Sequence, residues 1–130
     1  MIDIRPITTL ADMRAAEALQ TETWNMPPDE LMSAHSLHAL AHNGAALIGA
    51  YDGGHLVGMV LGVLATSPNP QRPDQPAVER LKMYSVMAGV LPAYQGQGIG
   101  RQLKLAQRDF ALRIGVPLIT WTFDPLESRN

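Results

Sequence analysis

Gln95-Gly96-Gln97-Gly98-Ile99-Gly100 is the segment of this chain whose residue types and spacing most directly imply chemistry. It follows an apolar run, Met83 to Leu91, that reads as a strand, and it precedes Arg101 to Ile114, which reads as an amphipathic helix. A glycine-rich turn between strand and helix exposes several backbone N–H groups at the positive end of the helix, and such a turn binds phosphate. Gly98 and Gly100 leave no Cβ between the backbone and an approaching diphosphate.

Two other phosphate loops fail on spacing. A Rossmann turn built on Gly96 and Gly98 would need a third glycine where Arg101 stands, and its ribose-binding acid cannot be drawn because Asp109 lies within the following helix. A Walker loop would need a Gly-Lys-Ser/Thr ending, which is not there. Three histidines form a separate constellation. His35, His38 and His42 are three and then four residues apart, near one face of a helix, and imidazoles so arranged can bind zinc. No carboxylate or cysteine completes the set, so no metal is expected. The chain has no cysteine, which excludes disulfides, thiolate metal sites and a cysteine nucleophile.

The elements that must hold the turn follow from patterning. Ile2, Ile4 and Ile7 suggest a short first strand. Thr9-Leu10-Ala11-Asp12 has capping-box spacing, and Leu10, Met13, Ala16 and Leu19 give the helix behind it one apolar side, to about Thr23. Trp24-Asn25-Met26-Pro27-Pro28 breaks that helix. Asp29 is placed to cap a second helix, to about His42, closed by Asn43-Gly44. Ala45 to Tyr51 and His55 to Ala65 read as strands flanking the hairpin turn Asp52-Gly53-Gly54, with Gly58 and Gly62 marking a bulge or a close neighbour. Pro68, Pro70, Pro73 and Pro76 make the stretch from Ser67 to Ala77 an irregular, mobile loop. Gly115 ends the helix after the turn, and Val116 to Phe123 reads as a last strand.

At 130 residues the chain is one domain with enough material for a core. A formal net charge of -2 argues against a nucleic-acid-binding surface. The start, Met1-Ile2-Asp3-Ile4-Arg5, lacks the features of a signal peptide, and no apolar run is long enough to span a membrane, so a cytoplasmic protein is expected.

Val90-Leu91-Pro92-Ala93-Tyr94 stands directly before the turn. The whole block, Val-x-Pro-x-Tyr-Gln-x-x-Gly-x-Gly, resembles the acetyl-CoA pyrophosphate loop of the GNAT superfamily of N-acetyltransferases. The likeness is most specific over residues 83–114 and looser over 1–66. It implies an α/β (α+β) architecture, a GNAT-like acyl-CoA N-acyltransferase fold with a mixed, mostly antiparallel sheet flanked by helices. Residues 1–130 would form a single N-acetyltransferase domain, the N-terminal two-thirds of the family fold. In that family a helix and two further strands follow, whereas here the chain reaches Asn130, at the position of the asparagine that opens the later helix. An incomplete member, lacking the final helix and strands, is therefore expected. Its last strand would keep an uncovered edge, a template for pairing, so a homo-oligomer or association through that strand is expected too.

The resemblance also implies a function: acetyl transfer from acetyl-CoA to an amine, small or on a peptide or protein, by direct attack and without a metal. Gln95, Gly96, Gln97, Gly98, Ile99, Gly100 and Arg101 would hold the pyrophosphate, and Ala88, Gly89 and Val90 would pair with the pantetheine arm as if with another strand. Arg101, Lys104 and Arg108, at helical spacing, either meet the nucleotide phosphates or face solvent. Glu79, near the start of the cofactor strand, is a candidate base or a solvated strand-end charge; Tyr84 is a second candidate catalytic residue. Relatives with a similar tail often carry a histidine where this chain has Val86. Tyr84 and Ser85 would line the acceptor site. Trp24, Asn25 and Met26 fall where the family shapes that pocket, although a lone aromatic such as Trp24 more often packs. The family's acid, a tyrosine on the later helix, has no counterpart, and Tyr94 belongs to the loop and is expected to pack. The alternative is a non-catalytic acyl-CoA-binding or sensing module, or a fragment that needs a partner chain.

Overall fold

The computed structural model describes residues 1–122. The elements run β1 (Ile2–Pro6), α1 (Leu10–Trp24), α2 (Ala34–His42), β2 (Ala46–Asp52), β3 (His55–Thr66), β4 (Leu81–Val90), α3 (Ile99–Arg113) and β5 (Ile119–Thr120). Single 3-10 turns occupy Pro28–Glu30, Ala77–Arg80 and Pro92–Tyr94. The five strands lie side by side in chain order. The first four are antiparallel, and β5 pairs parallel to β4 after the α3 crossover. This is the mixed, mostly antiparallel sheet that the resemblance implied.

α1 starts where Thr9 stands as its cap, the hydroxyl accepting from the Asp12 N–H at 3.1 Å. Its buried side differs from the expected one. Leu10, in the first turn, is exposed, whereas Gln20 is fully buried beside Met13, Ala16 and Leu19. The Gln20 amide is satisfied there by the backbone of Met32, donating to its carbonyl at 2.8 Å and accepting from its N–H at 2.9 Å. Those two bonds compensate the cost of burying a polar side chain.

The second helix is shorter than expected. Asp29 does not cap it: Pro28–Glu30 is an isolated 3-10 turn, and Ser33 caps α2 by accepting from Ser36 N–H at 3.1 Å. The physical reason lies in α1. Gln20 holds Met32 extended, and the Glu17 carboxylate accepts from the Ala34 N–H at 2.7 Å, so the first orphan donor of the helix is met only there.

α1 and α2 cover one face of the sheet and α3 the other. At Gly62 an added Cβ would lie 2.8 Å from both Met83 Sδ and Gln107 Nε2, and the β3–β4 register shifts between Leu61 and Gly62. Bulge and close approach, posed as alternatives, coincide there. Met13, Leu19 and Leu37 from one side and Ile99, Leu103 and Ala111 from the other enclose Val57, Met59, Val60 and Leu61.

The proline-rich stretch carries no regular element from Ser67 to Pro76. Arg80 ties its two ends, donating to Ser67 O and Gln75 O at 3.1 Å each. The last strand pairs only through Ile119 and Thr120, opposite Met83 and Tyr84. Phe123, at its expected end, and the tail from Asp124 to Asn130 lie outside the described residues. Among the described residues no helix is long and apolar enough to cross a membrane, and no group of three potential ligands could hold a metal ion.

Candidate functional site

The glycine turn delivers backbone amides to an open helix end. Gly96 and Gly98 have φ of 81° and 82°, a backbone conformation that side chains with a Cβ rarely adopt. Gly98 is the cap residue of α3, and it offers no side chain to satisfy the helix. The first amide answered within α3 is that of Gln102, which bonds to Gly98 O at 3.1 Å. The amides of Ile99, Gly100 and Arg101 therefore point out of the helix with its positive pole behind them. Every residue from Gln95 to Gly98 is exposed, and so is Gly100.

Two bonds fix the turn to the sheet. Tyr94, which was expected only to pack, donates its hydroxyl to Asp52 Oδ2 at 2.7 Å, reaching across to the β2–β3 hairpin. The bond to the Asp52 carboxylate, with some burial, holds the Tyr94 phenol above its ordinary pKa. Gln95 donates from Nε2 to Val90 O at 3.0 Å.

Beside the turn runs a groove of about 700 Å³. One wall is Ala88, Gly89 and Val90 of β4, another is Gly100, Leu103 and Lys104 of α3, and the rim is Glu22, Thr23, Trp24 and Asn25 at the end of α1. Among the described residues β4 outruns β5: pairing reaches only to Tyr84, while β4 continues to Val90. Leu91 N–H bonds to Val57 O of β3, so strand alternation turns the backbone N–H and C=O of Ala88 and Val90 the other way, toward the groove. Gln95 already occupies the Val90 carbonyl, and the backbone of Gly89 faces β3. Of the three residues expected to pair with an extended ligand, Ala88 thus offers both groups and Val90 its N–H.

Gly89 serves differently. A Cβ there would lie 2.6 Å from Trp24 Cζ2, so the missing side chain is what lets the indole lie against the strand. Trp24 packs, as a lone aromatic usually does, and its outer edge also lines the groove. Asn25 lines it as well and ends α1 in the left-handed conformation with φ of 51°. Met26 is half-buried and takes no part in the groove wall.

Tyr84 and Ser85 do not share a site. Successive residues of a strand face opposite ways, and here Ser85 is buried under α3, bonded by Lys104 Nζ at 3.0 Å and Gln107 Nε2 at 3.1 Å. Tyr84 faces the other side and shares a 2.8 Å hydrogen bond with the Thr122 hydroxyl. Glu79 sits exposed in the turn before β4, at the end of the strand remote from the glycine turn. Arg101 and Arg108 are exposed, the latter 4.0 Å from Asp109. Lys104 instead turns inward, and burial lowers its pKa from the usual lysine value. Sequence patterning missed Glu22 and Gln107, and Lys104, expected to meet the phosphates or face solvent, bonds Ser85 instead. Glu22 gave no signal, because nothing in its spacing distinguishes it from any exposed helical carboxylate. His38 and His42 stack with ring centroids 6.0 Å apart, without a third ligand among the described residues.

A second hollow, of about 520 Å³, lies between β1 and α3 against Ile4, Ile48 and Phe110 and contains none of the turn residues. The groove beside the turn is the one whose donors suit a diphosphate with an extended arm: two left-handed glycines, three outward amides and an open strand edge.

Comparison with known proteins gives a consistent picture. The model of the acetyltransferase (GNAT) family matches residues 10–128. No curated protein matches the sequence. Among solved structures, an aminoglycoside acetyltransferase from an uncultured soil metagenomic sample, in complex with trehalose, superposes with a TM-score of 0.77 at 17% identity, covering 97% of this chain and 80% of that one. The aminoglycoside N-acetyltransferase AAC(6')-Iy in complex with CoA gives 0.73 at 17% identity, over 96% and 78%. A ribosomal-protein-alanine N-acetyltransferase from Brucella melitensis biovar Abortus 2308 gives 0.66 at 20% identity, over 97% and 82%. At these identities the likeness is one of fold.

Proposed function

Because the chain belongs to the GNAT family of acetyltransferases, whose model spans residues 10–128, we propose that it transfers an acetyl group from acetyl-CoA to an amine. The observation that carries this reading is the uncapped start of α3, opening onto a groove beside an unpaired stretch of β4. The amides of Ile99, Gly100 and Arg101, with the turn from Gln95 to Gly98, would hold the pyrophosphate. The backbone of Ala88 and the N–H of Val90 would pair with the pantetheine amides. When bound, the acyl thioester supplies a carbonyl carbon that a neutral amine can attack.

The residues of the chain then have defined tasks. Trp24 and Asn25 shape the entry on the α1 side. Glu22, on the same rim, is placed to attract a cationic acceptor and to take its proton, directly or through water. Glu79 is remote from the groove wall, which makes it the weaker candidate for that role. The acceptor is an amine carried by a small molecule or by a peptide or protein terminus; the structural relatives include enzymes named for both kinds. Self-association would use the outer edge of β5, the last strand of the sheet among the described residues.

Calorimetric titration with acetyl-CoA tests the reading, followed by thiol release in the presence of an amine panel. Saturable binding with release of CoA in response to an amine is the expected result. Binding without turnover by any amine would favour an acyl-CoA sensor. Absence of binding to the folded chain would remove the site.

A further inference from the structure

Lys104 occupies a singular place in the fold. Tyr84 is the last residue of β4 paired to β5, and Thr120 is its partner. The next residue of each strand touches the Lys104 ammonium: Ser85 Oγ accepts from Nζ at 3.0 Å, and the Trp121 ring centroid lies 5.2 Å away. The cation is therefore held in the fork where the two strands part. Among the described residues no carboxylate pairs with it.

Lys104 joins the fork to the groove, whose wall it also lines. Val90, beside the glycine turn, and Ser85 face Gly58 and Gly62 of β3 across the bulge, so they are four strand steps apart, about 13 Å at ~3.3 Å per residue. That length is comparable to an extended pantetheine arm. A diphosphate at the turn and an arm along Ala88 bring the sulfur end toward the fork.

We propose that Lys104 Nζ is the cationic seat for the sulfur of CoA and stabilises the thiolate as it leaves. This rests on the acetyl-transfer reading above. As the acceptor nitrogen bonds to the carbonyl carbon, the C–S bond breaks and its electron pair stays on sulfur. The thiolate leaves paired with the Nζ ammonium and takes its proton from water. The proton lost by the acceptor ammonium goes to Glu22 or to solvent.

The surroundings suit the role. Ser85 Oγ also accepts from Gln107 Nε2 at 3.1 Å, so the hydroxyl that orients Nζ is itself held by a fully buried amide. Gln107 Oε1 is buried without a partner. Among the described residues the other charged groups around Lys104 are Glu22 from α1, which lines the same groove, and Arg101 and Arg108 one turn away on α3, both exposed. On β4, Lys82 and Tyr84 alternate to the opposite face, and β5 presents Trp121.

The test needs no acceptor. Binding of CoA and of desulfo-CoA, which lacks the sulfur, is measured by calorimetry from roughly pH 6.5 to 8.5, the upper figure being the ordinary thiol pKa. A cation at the sulfur lowers the pKa of the bound thiol, so the affinity of CoA relative to desulfo-CoA rises with pH. A depression of one unit gives a rise of about fivefold across that window and approaches tenfold only above it. The rise is expected in the unaltered protein and in Lys104→Arg, and should vanish in Lys104→Met, with the thiolate band in the ultraviolet difference spectrum following it. If both nucleotides bind the unaltered protein with the same pH dependence, the seat is overturned while the cofactor site stands. If neither binds, the underlying reading fails as well.

Discussion

Tyr94 and Asp52 join the glycine turn to the β2–β3 hairpin through a 2.7 Å hydrogen bond across 42 residues of chain. The tyrosine belongs to the short turn Pro92–Tyr94, and the aspartate ends β2. The bond fixes the position from which the chain enters Gln95 and the left-handed glycines. Tyr94→Phe and Asp52→Asn should each weaken acetyl-CoA binding severalfold, with the larger effect on affinity rather than on melting temperature. The phenol has a raised pKa in the folded chain, so this contact is fully present below the ordinary tyrosine value and is lost only as pH rises above it. Binding near neutrality should therefore show no titration from Tyr94.

Gly98 and Gly100 separate two ways of spoiling the turn. Gly98→Asp imposes a side chain on a φ of 82° and places a carboxylate where the diphosphate is proposed to sit, so binding should be abolished by strain and like-charge repulsion together. Gly100 lies within α3, and an added Cβ would meet only Val90 Cγ2 at 3.9 Å. Gly100→Ala should therefore keep or raise thermal stability, by up to about 1 kcal/mol from helix propensity. It should still lower acetyl-CoA affinity, because the methyl group enters the groove. Equal affinity in both variants and the unaltered protein would remove the turn as the binding site.

Trp24 and Gly89 are coupled by shape. Gly89→Ala brings a Cβ to 2.6 Å from Trp24 Cζ2, so the indole must move or the strand must shift. The variant should lose stability, by about 1–3 kcal/mol as for overpacked cores. Trp24→Leu in the same chain should recover part of that loss. A double-mutant cycle by chemical denaturation measures the coupling, and additive effects would contradict the contact.

Much of this arrangement was readable in the residues because local chemistry decides it. Thr9 caps α1, the Asp52-Gly53-Gly54 hairpin forms, and α3 begins at the glycine turn, each through bonds within a few positions in the chain. The start of α2 was not readable, since Ser33 prevails over Asp29 only through Gln20 and Glu17 on another helix. The same holds for the site. The turn is a local signature, whereas the separation of Tyr84 from Ser85 depends on which face α3 covers. The inward course of Lys104 depends on Ser85, 19 residues away. Glu22 reaches the rim only because α1 ends over Gly89.

Tyr51 links α1 to the sheet by a different titration. Its ring is fully buried, Arg5 lies 3.7 Å above it, and its hydroxyl donates to Asp12 at 3.1 Å. Burial first, and then the Asp12 carboxylate, push the phenol up to about 12. The folded value exceeds the unfolded one, so its contribution is complete below about pH 10 and is lost as pH climbs toward that raised value. Denaturation in urea should show stability falling through this alkaline window. Tyr51→Phe should flatten the fall and cost about 1 kcal/mol near neutrality.

Glu22 and Glu79 divide the question of the base. Glu22 lines the groove wall beside Trp24, while Glu79 is exposed before β4 starts, beyond the fork that holds Lys104. A proton acceptor must come within hydrogen-bond reach of the amine, directly or through one water. Glu22→Gln should thus lower kcat/KM by about 10²-fold or more, the usual contribution of a positioned base, with acetyl-CoA affinity preserved. Glu79→Gln should change it little. Rates of CoA release by the two variants, measured at saturating acetyl-CoA, distinguish them. The reverse outcome, with Glu79 sensitive and Glu22 silent, would move the acceptor to the far end of β4, on the face that carries Tyr84 and Thr122.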